Sequence, residues 1–170
     1  MTLHKYTVKD NKSTYVVPTT VEHIEEFVHI IREEDKEEVM ASHGDLLTGL
    51  IESFTSSLFC ETIFTPDDEI AGIYGVCPLT HICPALPTLA SPWMLSTVHL
   101  PKVYMAFLRG GREWIEKVNK EFPVLTNCVD AEYKVSIAWL KFMGFEFINR
   151  IENYGVNPKP FLEFVRINKE

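Results

Sequence analysis

From Pro101 to the C-terminus the hydrophobic pattern changes period repeatedly, and this restricts the fold more than any other feature of the chain. Val103, Phe107, Gly110, Trp114 and Val118 lie on one helical stripe, which predicts a long helix over roughly 101–121. Pro101 suits its first turn, where a missing N–H costs nothing. Gly110-Gly111 inside it costs about 1 kcal/mol per Gly relative to Ala, and close approach of another backbone is a reason to keep the pair. Phe122-Pro123 ends the helix, and Val124–Val129 reads as a buried strand. Asp130 is placed to cap a second helix running to Met143, with Val135, Ala138, Trp139 and Phe142 inward and Gly144 as its stop. Phe145–Arg150 and Phe161–Ile167 then alternate in period two, with Asn153-Tyr154-Gly155 and Asn157-Pro158 as turn residues between them.

The N-terminal part begins with a strand at Tyr15-Val16-Val17, ended by Pro18. Thr19 and Glu22 form a capping-box pattern ahead of Val21, Ile24, Val28 and Ile31, which predicts a helix over roughly 20–31. Glu33–Ser42 continues helical until His43-Gly44, and Asp45 can cap a further helix carrying Leu46, Leu47, Leu50, Ile51 and Phe54. Leu58–Phe64 and Ile70–Val76 pair as a hairpin about the turn at Pro66-Asp67-Asp68. Three prolines between Cys77 and Pro87 forbid a helix there and predict a long inserted loop before a short buried strand at Pro92–Thr97. Strand, helices, three strands, helix, strand, helix and two strands make one α/β domain over 1–170, a mixed sheet with helices on both faces.

Charge removes several function classes. The 170 residues carry a net charge of −8, with no basic run to grip a nucleic-acid backbone. No stretch reaches the ~18 to 20 apolar residues of a membrane helix, and Met1–Tyr6 has no apolar signal core, so neither a membrane nor secretion is expected. The 4 cysteines lack framework spacing, which suits free thiols in a reducing cytoplasm. The acidic run Ile31–Glu38 reads as a solvated helix face or as a docking surface for a basic partner. Cys77, His81 and Cys83 have the wrong spacing for a zinc knuckle, and no metal is expected. Cys128 reads as a small core residue rather than a thiol nucleophile based by His99, and Trp93, Trp114 and Trp139 read as core.

This element order, with the phrase Val135–Phe145 ending in Met143-Gly144-Phe145-Glu146-Phe147, resembles the GNAT acetyltransferase superfamily over roughly residues 14–167. The Arg32–Glu38 run, the Trp93 strand and the stretch Leu125–Gly144 also look like small GNAT-like proteins of short-tailed phages, the internal virion protein A type. The resemblance implies a GNAT-like mixed, mostly antiparallel central sheet with helices on both faces. It implies an acetyl-CoA loop at His99–Tyr104, where Lys102 and Tyr104 stand at positions the family fills with glycine. Lys102 would then meet a phosphate as a point charge, and the backbone of Ser96 or Thr97 would pair with the pantetheine arm. The position of the family's general-acid Tyr holds Leu140, or Trp139 one residue earlier, while Tyr133 is expected to pack or cap. Glu61 and Asp130 are the candidate bases.

Two functions follow as expectations. The first is a phage protein with a degenerate acetyl-CoA loop and no cofactor, acting by contact with a virion or host protein, one with a basic surface suiting the acidic run. It would work in the bacterial host cytoplasm or packaged in the virion. The second is an active N-acetyltransferase that uses acetyl-CoA on an amine of a host or phage protein. The first expects a cleft filled by Tyr104 or the proline loop; the second expects an open V between strands 93–97 and 124–129.

Overall fold

The computed structural model describes residues 13–80 and 88–168. The order is β1 (Tyr15–Pro18), α1 (Val21–Ile30), α2 (Glu33–His43), α3 (Leu46–Ser56), β2 (Phe59–Phe64), β3 (Ile70–Pro78), β4 (Leu89–Ser96), a 3-10 turn (Leu100–Val103), α4 (Tyr104–Glu121), β5 (Val124–Asp130), α5 (Lys134–Phe142), β6 (Glu146–Tyr154) and β7 (Lys159–Ile167). The strands form one seven-stranded sheet in the order β1-β2-β3-β4-β5-β7-β6. Every neighbouring pair is antiparallel except β4 and β5.

The sheet is covered on both faces. On one side Ile24 and Phe27 of α1 and Leu50 of α3 pack on Ile70, Ile73 and Leu95. On the other, Trp114, Ile115 and Val118 of α4 and Leu140 of α5 pack on Val76, Ala90, Leu125 and Val129. Side chains of successive strand residues alternate between faces, so β3 and β4 serve both cores, and each fully buried aliphatic side chain contributes about 1.5–3 kcal/mol.

Several local expectations shift for physical reasons. The capping box lies one residue on: Thr20 caps α1 and His23 returns the bond, while Thr19 is buried against the Thr62 hydroxyl at 2.9 Å. Asp130 does not cap α5, whose N-cap is Tyr133; it ends β5 and holds the next turn through Glu132 N–H. Val135 and Phe142 of α5 are exposed, and Leu140 is the buried residue, because α5 turns its Tyr133–Ile137–Leu140 side to the sheet. Leu47 and Ile51 of α3 are likewise exposed. What approaches Gly111 is the Met143 side chain rather than a backbone. Cys77 and Pro78 extend β3, and His81–Pro87 of the expected loop lie outside the described residues.

α2 has little apolar face of its own: only Val39 and Ala41 are buried hydrophobics. Its C-terminal half is fastened from the far edge of the sheet by the β6–β7 turn. Asn157 donates its N–H to Ala41 O at 3.0 Å and its side-chain amide to Met40 O at 2.8 Å, the latter also the acceptor of Gly44 N–H at the helix end. Gly155 sits in that turn at φ +80°, and a Cβ there would stand 2.2 Å from Ala41 O. Gly144 has a similar φ of +84°, yet a Cβ there would meet only Arg166 Nε at 3.4 Å. Gly144→Ala is therefore expected to cost about 1–2 kcal/mol of left-handed strain. Gly155→Ala is expected to cost ~3 kcal/mol or more, because the turn must also leave α2. Urea denaturation of the two variants checks this; equal losses would mean that the turn does not hold α2.

Candidate functional site

β4 and β5 run side by side only at Leu89–Val124 and Ala90–Leu125. Pro92 has no N–H to continue the ladder, and beyond it the strands diverge. The backbone groups left along the two edges are met individually. Asn127 spans the apex: its side-chain amide donates to Pro92 O at 3.0 Å and its side-chain oxygen accepts Cys128 N–H at 2.8 Å. Farther out, two carboxylates of α2 reach one edge each. Asp35 accepts Ser96 N–H at 3.0 Å and also the Ser96 hydroxyl. Glu38 accepts Asp130 N–H at 3.0 Å. Ser96 O is taken by Arg32 N–H and Thr97 N–H by Ala71 O, each at 3.0 Å. Backbone direction alternates along a strand, so Met94, between Pro92 and Ser96, turns its N–H and C=O toward the opening.

A cavity of about 180 Å³ occupies this opening and reaches both faces of the sheet. On the α2 side its wall includes Glu38, Ser42, Cys128, Tyr154 and Phe161. Burial holds the half-buried Glu38 carboxyl at about 8, helped by the nearby Asp35 and Asp130 carboxylates and opposed by Asp130 N–H and Lys159. Asp35 is also raised, first by burial, while its bonds from Ser96 favour the charged form. Tyr133 bonds to Asp35, and burial raises its phenol. Tyr154 bonds to Cys128 and stacks on Phe161 at 4.5 Å; burial, then Cys128, pushes its phenol to about 12. Tyr154 is thus a neutral O–H at physiological pH.

On the opposite side the cavity meets α4 and α5. Phe107 and Trp139 stack across the two helices with centroids 5.5 Å apart. Trp114, only 7% exposed, stands behind them against Tyr74 and Phe59. The indole N–H groups of both Trp114 and Trp139 are buried without a protein acceptor. A buried donor left so costs about 1–3 kcal/mol.

The turn leading into α4 carries the remaining charge. Lys102 Nζ pairs with Glu69, and His99 Nδ1 lies 3.7 Å from the same carboxylate. The Lys102 contact holds Glu69 below the usual carboxylate range. α4 begins without a side-chain cap and follows directly on the 3-10 turn, with the positive end of its dipole at this turn. Tyr104 at this end is 47% exposed and is not part of the cavity wall.

The structure thus separates the residues singled out from sequence. Ser96 and Thr97 lie at the end of β4 with their backbone N–H groups already bonded, which leaves Met94 facing the opening. Asp130 is buried at the rim, paired with Lys159 at 2.7 Å. Glu61 is buried on β2, accepts the Tyr74 hydroxyl at 2.8 Å and is raised by burial, but is not part of the cavity wall. Cys128 bonds to Tyr154 while His99 pairs with Glu69, so these two are not brought together. Among the described residues no group of His, Cys, Asp and Glu could hold a metal; His81 and Cys83 lie outside them. The acidic run divides: Glu33, Glu34 and Glu37 are exposed as expected, whereas Asp35 and Glu38 turn inward. Glu38 and Tyr154 are the residues that sequence reasoning passed over. Asp35–Glu38 spacing, one helical turn, was the available signal.

No protein-family model and no curated protein matches the chain in sequence. Solved structures match it in shape. A GNAT superfamily phosphinothricin acetyltransferase from Sinorhizobium meliloti, in complex with AcCoA, superposes with a TM-score of 0.70 at 12% identity, over 91% of this chain and 88% of that one. The ribosomal-protein-S18-alanine N-acetyltransferase from Escherichia coli gives 0.62 at 11% identity, over 89% and 92%. A GCN5-related N-acetyltransferase from Kribbella flavida gives 0.65 at 14% identity, over 91% and 98%. The mixed, mostly antiparallel sheet with its single parallel, diverging pair is the fold of the GNAT N-acetyltransferases.

Proposed function

We propose that this protein is an N-acyltransferase that takes an acyl thioester of coenzyme A in the opening between β4 and β5 and passes the acyl group to an amine arriving from the α2 side. The observation that carries the reading is an open cavity through the diverging strands with the Glu38 carboxyl on its wall. One feature fits the thiol arm of such a donor: the Met94 backbone edge turned to the opening. The uncapped start of α4 is where its phosphates would lie. The donor supplies an activated acyl carbon; the chain supplies position and proton transfer.

In this reading Glu38 is the base. As a carboxylate it takes a proton from the amine nitrogen as the C–N bond forms, and a group titrating near neutrality suits that task. The departing thiolate needs a proton as the C–S bond breaks. Leu140 cannot give one; the Tyr154 hydroxyl, on the same cavity wall, can.

A second reading is favoured by the pairing of Lys102 with Glu69 and by Tyr104 at the same turn. Here the fold serves a short-tailed phage through protein contact, in the virion or on a host protein, and the exposed Glu33, Glu34 and Glu37 suit a basic partner surface. The readings part at one titration. Calorimetry with CoA and acetyl-CoA is expected to show micromolar binding. Met94→Pro removes the N–H that faces the opening, leaves the β3 ladder intact and is expected to weaken binding about tenfold against Met94→Leu. No heat at millimolar ligand, even in Glu69→Ala where Lys102 is released, would sink the enzyme reading and leave the contact protein.

Glu38 also predicts a pH dependence. Thiol release from acetyl-CoA, assayed with polyamine and peptide amines, is expected to rise with pH to a plateau above about 8. Glu38→Gln is expected to lower it ~10²–10⁴-fold and abolish that rise. The linked effect on stability has the opposite sign. Between the ordinary value of 4.5 and about 8, folded Glu38 keeps a proton that the unfolded chain has released. Its contribution therefore falls as pH rises through that window, by less than the full ~1.4 kcal/mol per unit because the group is part-exposed. Denaturation of wild type and Glu38→Gln at pH 5 and pH 8 measures the difference; parallel curves would mean an ordinary exposed glutamate.

A further inference from the structure

Resting on the acyltransferase reading, we infer that Lys159 is a positioning residue which, acting through Asp130, holds the Glu38 carboxyl at the mouth of the opening. Lys159 is not part of the cavity wall and acts at one remove. The bond that meets Glu38 there comes from Asp130 N–H at 3.0 Å. Asp130 ends β5, and local contacts fix it in place: its backbone O accepts Tyr133 N–H at 3.0 Å, its Oδ1 accepts Glu132 N–H at 2.9 Å, and its Oδ2 takes Lys159 Nζ at 2.7 Å. The Asp130 side chain is buried, whereas that of Lys159 is one-third exposed. A buried carboxylate keeps its charge and its place only while it is paired, and Lys159 is the counter-charge.

Lys159 also closes a circuit of contacts. It is the first residue of β7 and stands opposite Tyr154, the last residue of β6, at the base of the turn whose Asn157 fastens Met40 and Ala41. α2 is therefore tied to the strands twice within one helical turn, at Glu38 through Asp130 and at Met40–Ala41 through Asn157, and Lys159 joins the two ties.

The charged and titratable groups around Glu38 come from four elements: Asp35 on α2, Cys128 and Asp130 on β5, Tyr154 on β6 and Lys159 on β7. His43 lies farther along α2 on the same cavity wall, 3.9 Å from Glu52. Asp35 and Asp130 raise the Glu38 carboxyl, and the Lys159 ammonium opposes them. Without that ammonium the Asp130 carboxylate acts on Glu38 undiminished, and the base keeps its proton to higher pH.

The test follows thiol release from acetyl-CoA with a polyamine acceptor from acid to alkaline pH, on the full chain. In parallel, carbon NMR follows the Glu38 carboxyl, its resonance assigned by its loss in Glu38→Gln. Lys159→Met is expected to move the midpoint of both curves upward by about 1 unit and to lower kcat at neutral pH, with the KM for acetyl-CoA unchanged. Lys159→Arg keeps the cation and is expected to restore the wild-type midpoint. Lys159→Met combined with Asp130→Asn removes both charges and is expected to bring the midpoint back toward wild type, which separates charge from damage to the fold. In a Glu38→Gln background, loss of Lys159 is expected to change the rate no further. A fall in rate at every pH with an unmoved midpoint would make Lys159 a structural ion pair only; it would overturn the inference and leave the acyltransferase reading standing. An unchanged profile in Lys159→Met would do the same. A wild type that releases no thiol from any acyl-CoA removes the acyltransferase reading, and the role of Lys159 with it.

Discussion

The hydrogen bonds that β4 and β5 do not make with each other organise the rest of this molecule. A sheet interior cannot leave backbone N–H and C=O groups unpaired without loss of stability. Once Pro92 ends the parallel ladder, each edge must find partners elsewhere. Asn127 meets the first pair from within the strand. Asp35 and Glu38 meet the next from α2, and the α1–α2 junction adds Arg32 N–H to Ser96 O. α2 thus lies across the opening because the opening has donors to offer it, and the short apolar face of the helix suffices only because these bonds and the β6–β7 turn assist it.

The same bonds set the electrostatics. Both α2 carboxylates are drawn away from water, and Glu38 also feels Asp35. Asp35 gains two bonds from Ser96, which favour its charged form against burial. Glu38 gains one backbone N–H and faces Asp35 and Asp130, so more of its burial is uncompensated. Lys159 is engaged by Asp130 at 2.7 Å and screens Glu38 only in part. The result is a Glu38 carboxyl held near neutrality on the wall of the opening, the kind of shift that suits a group to acid–base work.

Much of the fold was legible because its signals are local. The stripe through Trp114 and Val118 gave α4, the Gly144 stop gave the end of α5, and period-two runs gave β6 and β7. The inward face of α5 was not legible: Val135 and Phe142 are as apolar as Ile137 and Leu140, and which side meets the sheet is decided by tertiary packing. The site was less legible still. Its defining residues, Pro92, Asn127, Glu38 and Tyr154, come from four separate elements, and a charge run such as 31–38 does not reveal which of its acids turn inward. Pro92 was the one local clue, since a proline in the middle of a buried strand marks a ladder that stops.

Asn127 has a geometric consequence beyond its two hydrogen bonds. By joining the strands at the point where they part, it closes the narrow end of the wedge with a polar bar that an incoming chain cannot displace without stranding Pro92 O and Cys128 N–H. The opening therefore has a fixed depth. Any guest longer than that depth must turn sideways at the bar, toward the aromatic wall of α4 and α5 or toward the carboxyls of α2. The two directions differ so sharply in polarity that a molecule with one oily and one basic end could occupy the wedge in only one orientation.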